Sequence, residues 1–117
     1  MTGVELVRWQ WMGYPRYHQS RLNLLIHVVL VPMFVAGNIT LVVAVVSRSW
    51  SAGVAGIVAT ALSIGLQGRG HRSEVVPPEP FSSAGNAAAR IFLEQWVTFP
   101  RFVLSGGWWR AIRGSAA

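Results

Sequence analysis

Residues 22–46, LNLLIHVVLVPMFVAGNITLVVAVV, run without a single acidic or basic side chain apart from His27. About 20 such residues suffice to cross the hydrocarbon core of a bilayer. A segment in lipid must satisfy its backbone donors and acceptors internally, so the run has to be helical. Ser20 is a candidate N-cap. Pro32 removes one backbone donor and Gly37 and Asn38 loosen the helix further on, so a kinked single span is expected, with two short re-entrant pieces as the alternative.

A polar turn with one tryptophan, SRSWS at 47–51, leads to AGVAGIVATALSIGLQ at 52–67, a second and smaller apolar segment. Its Ala52, Gly53, Ala55, Gly56 and Ala59 recur at helical spacing, a pattern that lets two helix backbones approach closely. The expected fold is an all-α membrane protein, an antiparallel transmembrane helical hairpin with amphipathic interfacial helices at both ends. The zones of this single membrane domain, 1–117, are an interfacial segment 1–20, a kinked span 21–47, a second span 52–67, a loop 68–83 and interfacial helices 84–113. The loop, with Pro77, Pro78 and Pro80, is not expected to be regular helix.

Composition narrows the partners. All ten basic residues are arginine, and they flank the apolar runs instead of forming a dense tract. That suits membrane orientation and anionic headgroups, not nucleic acid. Arg8, Arg16, Arg21, Arg69, Arg72 and the C-terminal arginines stand against Arg48 alone in the turn, so both termini and the histidines are expected on the cytoplasmic side. The aromatic stretch before Leu22 and the length of the apolar run argue against a cleavable signal peptide. With no cysteine, thiolate metal sites and disulfides are excluded. Two short spans bury little surface, which leaves room for a homodimer.

Chemistry concentrates in three histidines. His27 lies about a turn inside the apolar run and shares a helix face with Asn23; as structural glue it would simply hydrogen-bond Asn23 or the second helix. His18 falls on the opposite face of a continuous helix, so only a chain break near Ser20 would bring it back, and otherwise it faces headgroups or solvent. His71 and Glu74 are three apart, allowing both to meet one centre, or Glu74 to orient the imidazole, or a plain charge pair with Arg69 or Arg72. Antiparallel spans would place all three histidines at one end. Such a histidine and carboxylate set suits Fe(II) with dioxygen, and Zn(II) uses the same donors.

The series Tyr14, His18, Asn23, His27 and Pro32, followed by Gln67, Gly70, His71, Glu74 and Pro78, resembles the small membrane family of 2-hydroxy fatty acid dioxygenases, whose founding member acts in converting phytosphingosine to odd-numbered fatty acids. The similarity covers residues 14–32 and 67–81. It implies an Fe(2+)-dependent oxygenase that shortens a 2-hydroxy fatty acid by one carbon, with His18, His27 and His71 as ligands. Glu74 would be a fourth ligand or hold one, Asn23 and Gln67 would orient the site, and Arg21, Arg69 or Arg72 would receive the substrate carboxylate. The partners implied are a fatty acyl substrate and the membrane. The competing reading from another class is a non-catalytic helical membrane scaffold or subunit. A bis-histidine haem or quinone protein is a third.

Overall fold

The computed structural model describes residues 1–115, and all regular structure among them is helical. Helix α1, Gly3–Gly13, starts where Thr2 accepts a hydrogen bond from the Glu5 amide at 3.1 Å. A single 3-10 turn follows over Tyr14–Tyr17, with Pro15 fixing its first residues. His18 then leaves helical geometry (φ −133°, ψ 66°), and Ser20 is extended, its hydroxyl accepting from the Asn23 amide. This break turns His18 back over the next helix.

Helix α2, Arg21–Ser47, passes through Pro32 without interruption, so the segment is one helix and not two re-entrant pieces. Arg48 ends it in the left-handed region (φ 55°), its amide bonded to the carbonyls of Ala44 and Val45. Ser49 caps helix α3, Trp50–His71. Both helices are long and apolar enough to cross a membrane. The second outruns the 52–67 expected for it, and residues 68–71 are helix instead of loop. Gly70 reads as a breaker but serves close packing: a Cβ there would lie 2.5 Å from Asn23 Oδ1. The prolines begin only at Pro77 and do not disturb it.

The two helices lie side by side in opposite directions. Ser63 Oγ donates to Leu30 O at 2.5 Å, and Asn38 Nδ2 to Thr60 Oγ1 at 3.2 Å. Gly37 and Gly56 let the backbones meet, since a Cβ on Gly56 would stand 2.9 Å from Gly37 O and 2.8 Å from Leu41 Cγ. Their outer faces leave Val29, Val42, Val45, Val54, Ile57 and Val58 exposed. In water that would be a large liability; in lipid it is the ordinary surface of a span.

The C-terminal third does more than anchor. Helix α4, Ala84–Leu93, is capped by Ser83 and continues through a π-helical turn, Glu94–Thr98, into α5, Phe99–Leu104. The wide turn directly precedes Pro100, whose ring would otherwise meet the carbonyl four residues back. Pro100 therefore does not break the segment; Gly106, at φ 84°, does, and α6 follows at Gly107–Gly114. Phe99, Phe102 and Trp108 join Tyr14, Leu24 and Val31 in the core, and the Trp108 indole donates to Leu24 O at 3.0 Å. Residues 84–113, expected as interfacial helices alone, thus close the bundle at the histidine end.

Candidate metal centre

His27, fully buried on α2, donates from Nδ1 to the Asn23 carbonyl at 3.0 Å. His18, 3 % exposed, donates from Nδ1 to the Tyr14 carbonyl at 2.8 Å. A carbonyl oxygen only accepts, so in each neutral ring the proton sits on Nδ1 and the lone pair on Nε2. Both Nε2 atoms are buried with no hydrogen-bond partner, and so is Nδ1 of His71. Buried polar atoms are normally paired, so three orphan nitrogens in one place call for an explanation.

They converge. The ring centroids of His18, His27 and His71 stand 4.9 to 5.0 Å apart, each pair edge to face. Glu94, the first residue of the π turn, completes the group: its Oε2 is 3.3 Å from His18 Nε2 and 3.4 Å from His27 Nε2. One ligand atom from each of His18, His27, His71 and Glu94 lies within 4.8 Å of every other, an arrangement that could hold a metal ion. The two cations this geometry accommodates between nitrogen and carboxylate are a proton and a metal, and metal binding would displace the proton.

Tyr14 holds two of the four donors. Its ring stacks on His18 (centroids 3.7 Å apart, 12° between planes), its carbonyl fixes the His18 tautomer, and its hydroxyl donates to Glu94 Oε2 at 2.8 Å. Burial, and then the charge and hydrogen bond of Glu94, push the Tyr14 hydroxyl well above its ordinary range, so it stays a neutral donor. Burial would raise the Glu94 carboxyl too. When His18 and His27 carry a second proton, on the Nε2 atoms that face Glu94, their interaction with the carboxylate outweighs that and holds it well below the usual carboxylate range, so in the metal-free protein it stays an anion.

The other residues singled out in the sequence fall elsewhere. Glu74 is not among the donors and is no metal ligand here. Its carboxylate accepts from the Gln19 and Ser20 amides and, at 2.7 Å, from Asn23 Nδ2, so it caps the start of α2, where free amides favour an anion. Asn23 orients His27 through its main chain, while its side chain serves Glu74. Gln67 exchanges two amide hydrogen bonds with Gln95, at 2.7 and 2.8 Å, and donates to Ser63.

A cavity of about 260 Å³ opens beside His18, His71 and Glu94. Its wall carries Trp9, Ile64, Phe81 and Ile91. Arg21, Arg69 and Arg72 are exposed and none lines this cavity, so the arginines expected to meet a substrate carboxylate are not placed to do so there. Arg90 does line it. Its guanidinium is already committed, donating to the carbonyls of Glu79 and Pro80 at 2.8 and 3.1 Å between the rings of Trp9 and Phe81.

Glu94 is the residue that sequence reasoning missed. The signal was there: IFLEQWVTF places one carboxylate inside an apolar helical run, the same anomaly that drew attention to His27. Comparisons with protein-family models, with curated proteins and with solved structures return no match. The functional reading therefore rests on the chemistry of the site.

Proposed function

We propose that the chain is a membrane-embedded, Fe(II)-dependent dioxygenase that shortens a 2-hydroxy fatty acid by one carbon. The carrying observation is the set of three unpartnered imidazole nitrogens and one carboxylate that converge beside a cavity. A nitrogen-rich set with one carboxylate fits Fe(II), which when bound would supply the redox chemistry with dioxygen. In this reading α2 and α3 form a transmembrane hairpin, and the arginines at the histidine end hold that end in the cytoplasm.

The overall conversion balances with dioxygen as the only oxidant. R–CH(OH)–COOH and O2 give R–COOH, CO2 and H2O: the bond between C1 and C2 breaks, C2 is oxidised to a carboxyl carbon, and C1 leaves as carbon dioxide. The chain's own residues set the stage for it. His18 and His27 present Nε2 because the Tyr14 and Asn23 carbonyls fix the proton on Nδ1. Tyr14 keeps Glu94 turned toward them, and Phe99 and Phe102 pack around the rings of His27, His18 and Tyr14, excluding water. The apolar wall beside the site suits an acyl chain, which explains why such a centre would sit at a membrane edge.

The test is anaerobic Fe(II) loading of detergent-purified protein, then dioxygen and a 2-hydroxy long-chain fatty acid, with mass spectrometry for the acid one carbon shorter. Product from wild type and none from Glu94→Gln supports the reading. Stoichiometric iron without product rejects the substrate, and failure to bind any divalent metal favours the scaffold.

A further inference from the structure

Gly68 stands at the start of the last turn of α3, still in helical backbone where glycine is weaker than alanine, yet nothing in the fold asks for it. Its backbone is ordinary helix, with no positive φ. A Cβ built on it meets no atom within 4 Å, unlike Gly37, Gly56 and Gly70, whose Cβ atoms would collide with the neighbouring helix. What distinguishes Gly68 is position: it lines the cavity that opens beside the metal donors.

The burial of the lining residues gives that cavity a direction. Its floor is Tyr14, His18, Gln67 and Gln95, all buried, and one of them, His18, is a candidate metal donor. Its rim is Ile64, Gly68, Pro78, Glu79 and Phe81, all exposed. Ile64 and Gly68 lie one turn apart on α3, beside the exposed apolar face carrying Ile57, Val58 and Leu62, so the rim is continuous with the surface that would face lipid. About 260 Å³ is small against the 300–1,000 Å³ of common ligand pockets, enough for the first part of a long chain and not for all of it.

We infer that Gly68 keeps open a lateral doorway through which a single long acyl chain, its polar head at His18, His71 and Glu94, passes between α3 and the 78–81 loop into the bilayer. This rests on the membrane-embedded, metal-dependent reading above. It assigns the chain's path and the residue that gates it, and it does not depend on the reaction that follows.

The experiment uses the full chain in lipid nanodiscs, loaded with Co(II), and a long-chain 2-hydroxy fatty acid bearing a diazirine near its carboxyl end. Light attaches the probe, and mass spectrometry locates it. Four forms are compared: wild type, Gly68→Ala, Gly68→Leu, and Gly65→Leu, the last at another helical glycine with open space around it that does not line the cavity. The Co(II) spectrum should be the same in all four, showing an intact centre. Labelling of peptides carrying Trp9, Ile64 or Phe81 should fall at least tenfold in Gly68→Leu and stay at the wild-type level in Gly65→Leu, while Gly68→Ala melts higher than wild type. Equal labelling of Gly68→Leu and wild type with unchanged Co(II) spectra would overturn the doorway, as would loss of labelling in Gly65→Leu to the same degree. Specific wild-type labelling lost in Gly68→Leu, without any oxygenase product, leaves the doorway standing and removes the proposed reaction.

Discussion

Two buried polar groups of residues lie next to each other in this molecule and are built on opposite rules. In the first, Leu30 O, Ser63, Gln67 and Gln95 form a ladder in which the Ser63 hydroxyl proton, both Gln67 amide protons and the Gln67 carbonyl have partners. In the second, His18, His27 and His71 each leave one buried ring nitrogen unmatched. The ladder closes on itself and needs nothing from outside. The histidines stay incomplete until a cation arrives, and that difference separates structural glue from a site more sharply than burial or polarity, which the two share.

The contrast breaks first at the metal. His27→Ala or Glu94→Ala is expected to abolish stoichiometric binding of Co(II) or Zn(II), read by spectroscopy or metal analysis. Wild type should gain about 2.7 kcal/mol of stability at a metal concentration ~100 times Kd, and these variants none. A melting temperature indifferent to metal in wild type would make the histidines a second ladder.

The ladder should respond in the reverse way. Gln95→Leu strands the Gln67 carbonyl and one of its two amide protons and is expected to cost about 1–3 kcal/mol in thermal or denaturant melts, with metal affinity close to wild type. Replacing Gln67 and Gln95 together by leucine should cost clearly less than the two single losses added, because no buried amide is left alone. Additive losses would show that the two amides act independently.

Tyr14→Phe sharpens the line between the groups by removing a single hydroxyl and keeping the ring stack on His18. Loss of an oriented partner of a metal ligand typically weakens binding by about 10–100-fold, and that is the fall expected in Co(II) titrations, together with a changed Co(II) spectrum. An unchanged spectrum would show that Glu94 needs no help from Tyr14.

The smallest effect concerns acid. The Glu94 carboxyl is held below its unfolded value, so its contribution to the stability of the metal-free protein is full above about pH 5 and is lost as pH falls through the depressed folded value. Melts of wild type and Glu94→Gln should therefore converge toward low pH and diverge above it. Parallel curves across that window would deny the carboxylate its anionic role.

Much of this arrangement is legible in the sequence. The apolar run announced α2, the small residues announced its close neighbour, and a break near Ser20 was the one condition under which His18 could return. The three histidines stood out because an ionisable group in an apolar segment needs a reason. Glu94 met the same criterion but lay in a stretch whose arginines and tryptophans resembled a surface anchor, and the π turn that aims it has no sequence signature beyond Pro100. Of the roles open to Glu74, direct ligation drew on its nearness in sequence to His71, whereas its carboxylate turns to Asn23 and the amides of Gln19 and Ser20. On the chain it caps α2, which brings residues 19–23 and 74 together and so helps seat His18 beside His71.

The origin of the four donors sets an order in time. His27 and His71 belong to helices that can enter a membrane as a pair, whereas His18 precedes them and Glu94 follows some twenty residues after. During synthesis the carboxylate is the last donor to leave the ribosome, so the nascent protein carries imidazoles alone until the π turn has been made. The four-donor group that could hold a metal ion would come into being only once α4 and the π turn have docked, so an unfinished chain lacks it.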